Sequence, residues 1–476
     1  MGQTIQKTLR DSAAWRWTAL VLLASSMFFA YIFVDVLSPL QEYLVYDPTH
    51  WDPLAYGHYA GSETFLNVFV FFLIFAGIIL DKMGIRFTAV LSGIIMVIGA
   101  TMNWYAVTDM FVGSGLETFF NNNLNLPSAW WNVTPFYDGM PASAKFAAIG
   151  FMCFGCGVEM GGITVSRAIV KWFKGKELAL AMGTEMAIAR LGVAVVMIGS
   201  PFIAAKVGNG LCVSRPVAYS LALVCIGLIS LIVYCFMDKK LDNEGVEEEV
   251  EDDEPFKISD LGKILSLPVF WIVALLCVLY YSAIFPFQKY AINMLQCNLG
   301  FSAERAGLVF FVFPIGAAII TPFLGNYLDR HGKGASMLIL GAVLMIACHL
   351  VFAFVLPLTQ SVIIAYTSIV LLGISFALVP AALWPSVPKL IDEKLLGSAY
   401  ALIFWIQNIG LYAFPMIIGS VLRSSNPGVV DPREYNYTVP MCIFASLGVA
   451  AMILGFVLKA LDAKKGYGLE EPNIKE

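Results

Sequence analysis

Charge is what this chain has least of. Only 13% of its 476 residues are Asp, Glu, Lys or Arg, about half the share of an ordinary soluble domain, while 59% are hydrophobic. That balance excludes a protein surrounded by water and leaves lipid as the main solvent. Metal ligands are sparse as well. Histidine occurs four times, and the nine cysteines (Cys153, Cys156, Cys212, Cys225, Cys235, Cys277, Cys297, Cys348 and Cys442) form no set with zinc-ligand spacing. Cys153 and Cys156 make a C-x-x-C inside an apolar run, where they read as small packing residues rather than a redox pair. A Cys212 to Cys297 disulfide is conceivable if both face an oxidising side. There is no nucleophile-base set, no metal cluster and no nucleotide-binding loop, so the sequence predicts no enzyme, no cofactor and no nucleic-acid partner.

Long apolar runs fill the space. Twelve segments are long enough to cross a hydrocarbon core of ~30 Å. The first six run from Trp15 to Leu37, Gly61 to Leu80, Phe87 to Val107, Lys145 to Trp172, Glu177 to Val207 and Val217 to Met237. Six more run from Leu267 to Leu295, Ala306 to Leu328, Ala335 to Leu356, Ser361 to Val387, Leu396 to Leu422 and Val439 to Leu458. The pattern predicts an all-α membrane protein in two six-helix halves, residues 1–237 and 263–462. An acidic linker, 238–262, joins them, and a tail, 463–476, follows. The first run is too long for a signal-peptide core and is expected to stay as a helix. Gln6 stands where a myristoylation motif wants Ser or Thr, so no lipid anchor is expected.

Basic residues collect on one side, among them Arg10, Arg16, Lys82, Arg86, Lys171, Lys239, Lys263, Arg330, Lys333 and Lys389. The loops from Ser38 to Tyr59 and from Thr108 to Ser143 on the other side have none. The positive-inside rule therefore predicts both termini and the acidic run DNEGVEEEVEDDE in the cytoplasm, the run reading as a solvated, flexible linker. The long outer loop carries Trp130, Trp131 and Phe136, which read either as an interfacial apron or as part of a lid. Asn132 and Asn436 head outward-facing sequons.

Against this apolar background a buried charge needs a reason. Arg190 lies in the middle of ELALAMGTEMAIARLGVAVVMIGSPFIAAKV, where insertion costs at least ~2.5 kcal/mol. Glu159 lies in the preceding run, in FGCGVEMGG, and the two runs are joined by the basic turn KWFKGKE around Gly175. Counted from that turn, Glu159 is as far back as Arg190 is forward, placing both roughly 20 Å deep. An acid and a base at one depth suit a zwitterion, with Arg holding a carboxylate bidentately and Glu accepting an ammonium. They equally suit a structural ion pair that touches no ligand.

Two turns are alike. GIILDKMGIR carries Gly77, Asp81, Lys82, Gly84 and Arg86; GNYLDRHGKG carries Gly325, Asp329, Arg330, Gly332 and Lys333. In each, Gly precedes Asp by four residues and follows it by three, with a basic residue directly after Asp. Glycine allows a tight turn and close helix approach, and Asp can cap a helix or pair across a gate. The pair of turns, one per half, resembles the loop signature of the major facilitator superfamily. The resemblance implies two halves around a midplane site exposed alternately to each side, with gating roles for these residues.

Further strings narrow the resemblance: IFVDVLSPLQ, EMGGITVSRAIVKWFKGKELAL, AIARLG, YYSAIFPF, ALWPSV and LLGSAYALIFWIQNIGL. Together they resemble the lysosomal dipeptide transporter branch of the superfamily. That implies an amino-end contact at Glu159, a carboxylate contact at Arg190, and movement of dipeptides down their gradient across the lipid bilayer, leaning towards an uncoupled uniporter; proton coupling, a carrier of another organic anion, a non-transporting scaffold or receptor, and an accessory membrane subunit are left open. Tyr280, Tyr281 and Trp384 read as cavity-wall aromatics or as packing. Gln407 and Asn408 read as peptide-backbone contacts or as helix-helix bonds. Asp35 is a candidate proton carrier, whereas Glu63 reads as a wet residue near the outer end of its span. Pro286, Pro385 and Pro415 permit kinks, and His349 reads as structural. The short N-terminal tail has no acidic dileucine signal, so a plasma or bacterial inner membrane is expected rather than a lysosomal one.

Overall fold

A computed structural model describes residues 8–46, 48–127, 132–204, 212–244, 258–392 and 395–472. Among the described residues, eleven helices are long and apolar enough to cross a membrane. They are Ala13–Leu44, Phe72–Ala106, Ala142–Phe173, Leu180–Ala204, Ser214–Asp242, Pro268–Leu299, Ala303–His331, Gly334–Thr359, Val362–Leu390, Leu396–Ser425 and Thr438–Lys465. The expected twelfth crossing is present in pieces. Helices Pro53–Ser62 and Phe65–Phe69 lead into the first part of Phe72–Ala106, and that long helix is itself divided at Gly84, whose φ of 77° makes the turn to the third span. The second span therefore starts earlier than Gly61, from Asp52, whose side chain accepts from the Ala55 N–H ahead of Pro53 at the first helical position. It breaks again at Phe71, a non-glycine residue held at φ 57°. Such a residue costs ~1 kcal/mol or more and persists only where surroundings impose it.

Those surroundings are the other half of the molecule. The Trp405 indole, in the eleventh span, donates to the Val68 carbonyl freed by the break (2.9 Å) and stacks on Phe71 at 5.2 Å. The two halves meet tightly from this level to the face opposite the termini, here the far face. A Cβ added at Gly57 would sit 2.5 Å from the Pro415 carbonyl oxygen, and one at Gly61 would sit 2.4 Å from that of Tyr412. Only glycine permits that approach. Polar bonds join the halves there too: Gln41 to the Lys289 carbonyl (2.5 Å), Gln296 to Glu42 (2.5 Å), and the ion pairs Arg433–Glu42 (3.3 Å) and Arg423–Asp52 (3.1 Å).

Toward the basic face the arrangement reverses. Gly77, Gly183, Gly316 and Gly325 have no neighbouring element within 4 Å of where a Cβ would stand. The close approach expected at Gly77 and Gly325 is therefore not made in this conformation, whose close glycine contacts between the halves lie toward the far face. Gly84 and Gly332 do turn the chain at positive φ, 77° and 68°. Asp81 pairs with Arg167 (2.5 Å) and Arg86 with Asp242 (2.5 Å), both within the N-terminal half rather than across a gate. Lys171 reaches Asp238 (2.9 Å) and Asp242 (2.6 Å). Asp242 thus ends the sixth span in an ion network instead of opening a solvated linker, and Glu244 accepts from the Leu9 N–H (2.6 Å); residues 245–257 lie outside the described residues. In the C-terminal half the turn is held by the tail. Lys333 and Gly334 donate backbone N–H groups to the Glu470 and Leu469 carbonyls (3.1 and 2.9 Å).

The outer loop is ordered around a helix, Gly115–Asn122. Lys145 is buried beneath it, donating to the Phe120 carbonyl and to Asn125. Tyr412 of the C-terminal half donates to the Val133 carbonyl, so the loop ties the halves together at the far face. Trp130 and Trp131 lie outside the described residues. Cys212 and Cys297 are both free thiols, so no disulfide joins them.

Candidate functional site

The fourth and fifth spans are antiparallel neighbours through the turn at Gly175, whose φ of 73° reverses the chain. Their apolar faces pack on the first, second and third spans, which leaves the remaining stripe of each turned toward the other half. Glu159 and Arg190 occupy those stripes, and both are half-buried. Arg190 crosses the boundary: its Nη1 donates to Thr321 Oγ1 of the eighth span (3.4 Å), and its guanidinium lies 5.2 Å from the centre of the Phe376 ring in the tenth. Glu159 forms neither a hydrogen bond nor an ion pair among the described residues, and Arg190 forms no ion pair. The structural ion pair that the sequence left open is not made.

Tyr31 of the first span lies within electrostatic reach of Glu159, Glu185, Glu63 and Arg190 at once. Glu185, one and a half turns before Arg190, is a third half-buried acid of the same wall.

The facing wall is aromatic. Tyr281 stacks on Phe285 (5.5 Å) and accepts a hydrogen bond from the Trp384 indole (3.0 Å), and Trp384 stacks on Phe404 (4.9 Å). Phe285 and Phe376 meet edge to face at 5.5 Å. Tyr281 and Trp384 thus join the site, but Tyr280 does not. It is 1% exposed and donates to the Leu338 carbonyl, pointing away into the C-terminal half. Neighbours on one helix face opposite ways because ~100° separates them. Gln407 accepts from the Cys277 thiol (3.1 Å), which is the helix-helix reading. Asn408 is buried beside it. His349 is buried, contacts the Met345 carbonyl through Nδ1 (2.8 Å) and packs among Phe287, Phe352 and Phe444, as a structural histidine would.

Above this chamber, toward the far face, lies a charge cluster that the sequence reading missed in part. Lys289 of the seventh span reaches Asp35 (3.0 Å), the Val34 carbonyl (2.9 Å) and, at 3.7 Å, Glu63. Asp35 is saturated by Lys289, by Gln288 (2.7 Å) and by Ser38 (2.9 Å). Glu63 is therefore paired rather than wet. Lys289 was findable: like Arg190, it is a cation near the middle of an apolar run, in FPFQKYAINM. Among the described residues no group of three His, Cys, Asp or Glu side chains is placed to hold a metal ion.

With that geometry in hand, comparisons with known proteins are informative. A family model described as Major Facilitator Superfamily matches residues 23–415 and 289–472. Over 282 residues, 58% of this chain, the sequence is 31% identical to the lysosomal dipeptide transporter MFSD1 of Bos taurus, covering 58% of that protein. The Homo sapiens protein of the same name gives 30% over 283 residues, 58% of this chain and 59% of the relative. The alignment to these relatives thus spans less than two thirds of their length. Among solved structures, a D-xylose-proton symporter superposes with a TM-score of 0.67 at 14% identity, over 94% of this chain and 98% of the other. A bacterial homologue of the human lysosomal transporter Spinster, described as inward-facing and occupied, gives 0.65 at 13% identity over 97% and 98%. Family model, twelve crossings and paired turns agree, and the chain is an integral multi-pass membrane protein belonging to the major facilitator superfamily.

Proposed function

We propose that this protein moves dipeptides across its membrane by alternating access, Glu159 holding the substrate's ammonium and Arg190 its carboxylate. One observation carries the reading: the two side chains have opposite charge, both act electrostatically on Tyr31, and they make no ion pair with each other. Burying two charges and leaving them apart is costly, and the cost is offset when a ligand supplies both missing partners. A dipeptide does so, its ammonium and its carboxylate each supplying one of them. The relatives named as dipeptide transporters support the same substrate class. The aromatic wall of Tyr281, Phe285 and Trp384 then takes substrate side chains by area and stacking, which selects weakly among them.

The conformation supplies the second step. With the basic residues in the cytoplasm, the open chamber faces inward; the reverse state requires the far-face contacts to part and Gly77 and Gly325 to gain the neighbours they lack here. No gradient-driven partner is needed for that cycle, so the protein acts as a facilitator. Uptake of a labelled dipeptide into proteoliposomes tests the reading. Wild type should equilibrate it, Arg190→Ala should abolish flux while staying folded, and blocking the peptide's carboxylate as an amide should mimic the substitution. Normal flux in Arg190→Ala would refute the assignment.

A further inference from the structure

The Glu63 carboxylate links the far-face charge cluster to the fourth span, which carries Glu159. Its backbone lies directly on the fourth span, where a Cβ added to Gly155 would fall within 2.0 Å of the Glu63 carbonyl oxygen. Glu159 is one helical turn further along that same face, toward the basic side. The two carboxylates are close enough to feel each other's charge. On its other side Glu63 reaches Lys289, but only at 3.7 Å, while Lys289 has its short contacts to Asp35 and the Val34 carbonyl. Asp35 and Lys289 belong to different halves, so their pair bolts the far face shut. Glu63 is the member of the cluster whose charge is least matched.

We infer that Glu63 is a second ammonium-reading carboxylate, through which substrate occupancy loosens the far-face bolt between Lys289 and Asp35. The inference rests on the dipeptide reading of Glu159 and Arg190. With the chamber empty, Asp35 and Glu63 share one ammonium, that of Lys289, and Glu63 helps to hold that lysine against the N-terminal half. An incoming substrate ammonium settles between Glu159 and Glu63. Glu63 then gives up its long contact, Lys289 is held by Asp35 and main-chain oxygen alone, and separation of the halves at the far face becomes easier. Nothing but ion pairing is exchanged; no proton need move. A carrier built in this way opens its far face mainly when loaded from inside.

Proteoliposomes with alanyl-alanine and its N-acetyl derivative give the test, together with spin labels at the exposed far-face positions Thr118 and Val430, one on each half. In wild type, saturating alanyl-alanine should widen the distance between the labels, and the N-acetyl form should not. In Glu63→Gln, which keeps the side-chain shape, the KM for alanyl-alanine should rise about tenfold, the N-acetyl form should be unchanged, and the ligand-driven widening should be lost. A Glu63→Asp variant should recover part of both. If Glu159→Gln raises KM for the free peptide while Glu63→Gln alters neither KM nor the widening, the inference is overturned and the dipeptide reading stands. If wild type itself neither binds nor moves the peptide, the underlying reading has failed instead.

Discussion

The two walls of the chamber are built from different chemistry. The N-terminal half presents charge: Glu159, Arg190, Glu185 and Glu63, with Tyr31 among them. The C-terminal half presents rings: Tyr281, Phe285, Phe376, Trp384 and Phe404, and its one nearby cation, Lys289, is committed to the far-face bolt. On the proposed dipeptide reading, charge reads what every dipeptide shares, its two termini, because an unpaired buried ion is expensive and therefore discriminating. Rings hold what differs, the side chains, because apolar contact changes only slowly with shape. A carrier divided in this way is strict about the ends of its substrate and lenient about the middle.

The largest break in that comparison should come from the charged wall by a change that keeps the charge. Arg190→Lys retains a cation but loses the planar fork that can grip a carboxylate with two parallel bonds, and it loses the face that lies on Phe376. Vmax/KM for a dipeptide should fall about a hundredfold, within the range for truncating one partner of a buried charge pair. Uptake by the variant within a factor of three of wild type would mean that Arg190 acts as a point charge and does not read carboxylate geometry.

The aromatic wall should yield less. Trp384→Ala removes the donor to the Tyr281 hydroxyl and the stack on Phe404. For dipeptides with bulky side chains KM should rise ~tenfold, and for glycyl-glycine it should hardly change. Equal losses for both peptides would show that the wall supports the backbone or the fold, and the division of labour would dissolve.

How far these walls were legible in the sequence follows from the kind of signal each one leaves. Arg190 and Glu159 announce themselves because charge in a membrane-length apolar run has few explanations, and the distance from Gly175 sets their common depth. The repeated turns announce the pseudo-symmetry of the halves. The aromatic wall is hidden. Tyr280 and Tyr281 are adjacent in sequence and equally plausible, but one is buried against Leu338 and the other faces the chamber, a matter of helix rotation that composition cannot fix. Glu63 was misjudged for a related reason. The second span is broken at Phe71 and begins at Pro53, so counting from Gly61 places Glu63 too near the surface. Lys289 was overlooked although the reasoning applied to Arg190 covers it equally.

Phe376 is where the two walls touch, and it should give the smallest effect of the three. Its ring centre lies 5.2 Å from the Arg190 guanidinium, and its edge meets Phe285. A cation over an aromatic face gains ~0.5–2 kcal/mol, the more so where water is scarce. Part of that gain survives in the loaded state, since a carboxylate approaches the guanidinium in its plane and leaves the face covered. Phe376→Leu keeps apolar bulk and removes the π-face, so KM for dipeptides should rise only about threefold, equally for small and bulky ones. Phe376→Tyr should restore it. The uniformity matters more than the size: an effect confined to bulky peptides would assign Phe376 to the side-chain wall, whereas a uniform one makes it the ring that steadies the residue reading every substrate's carboxylate.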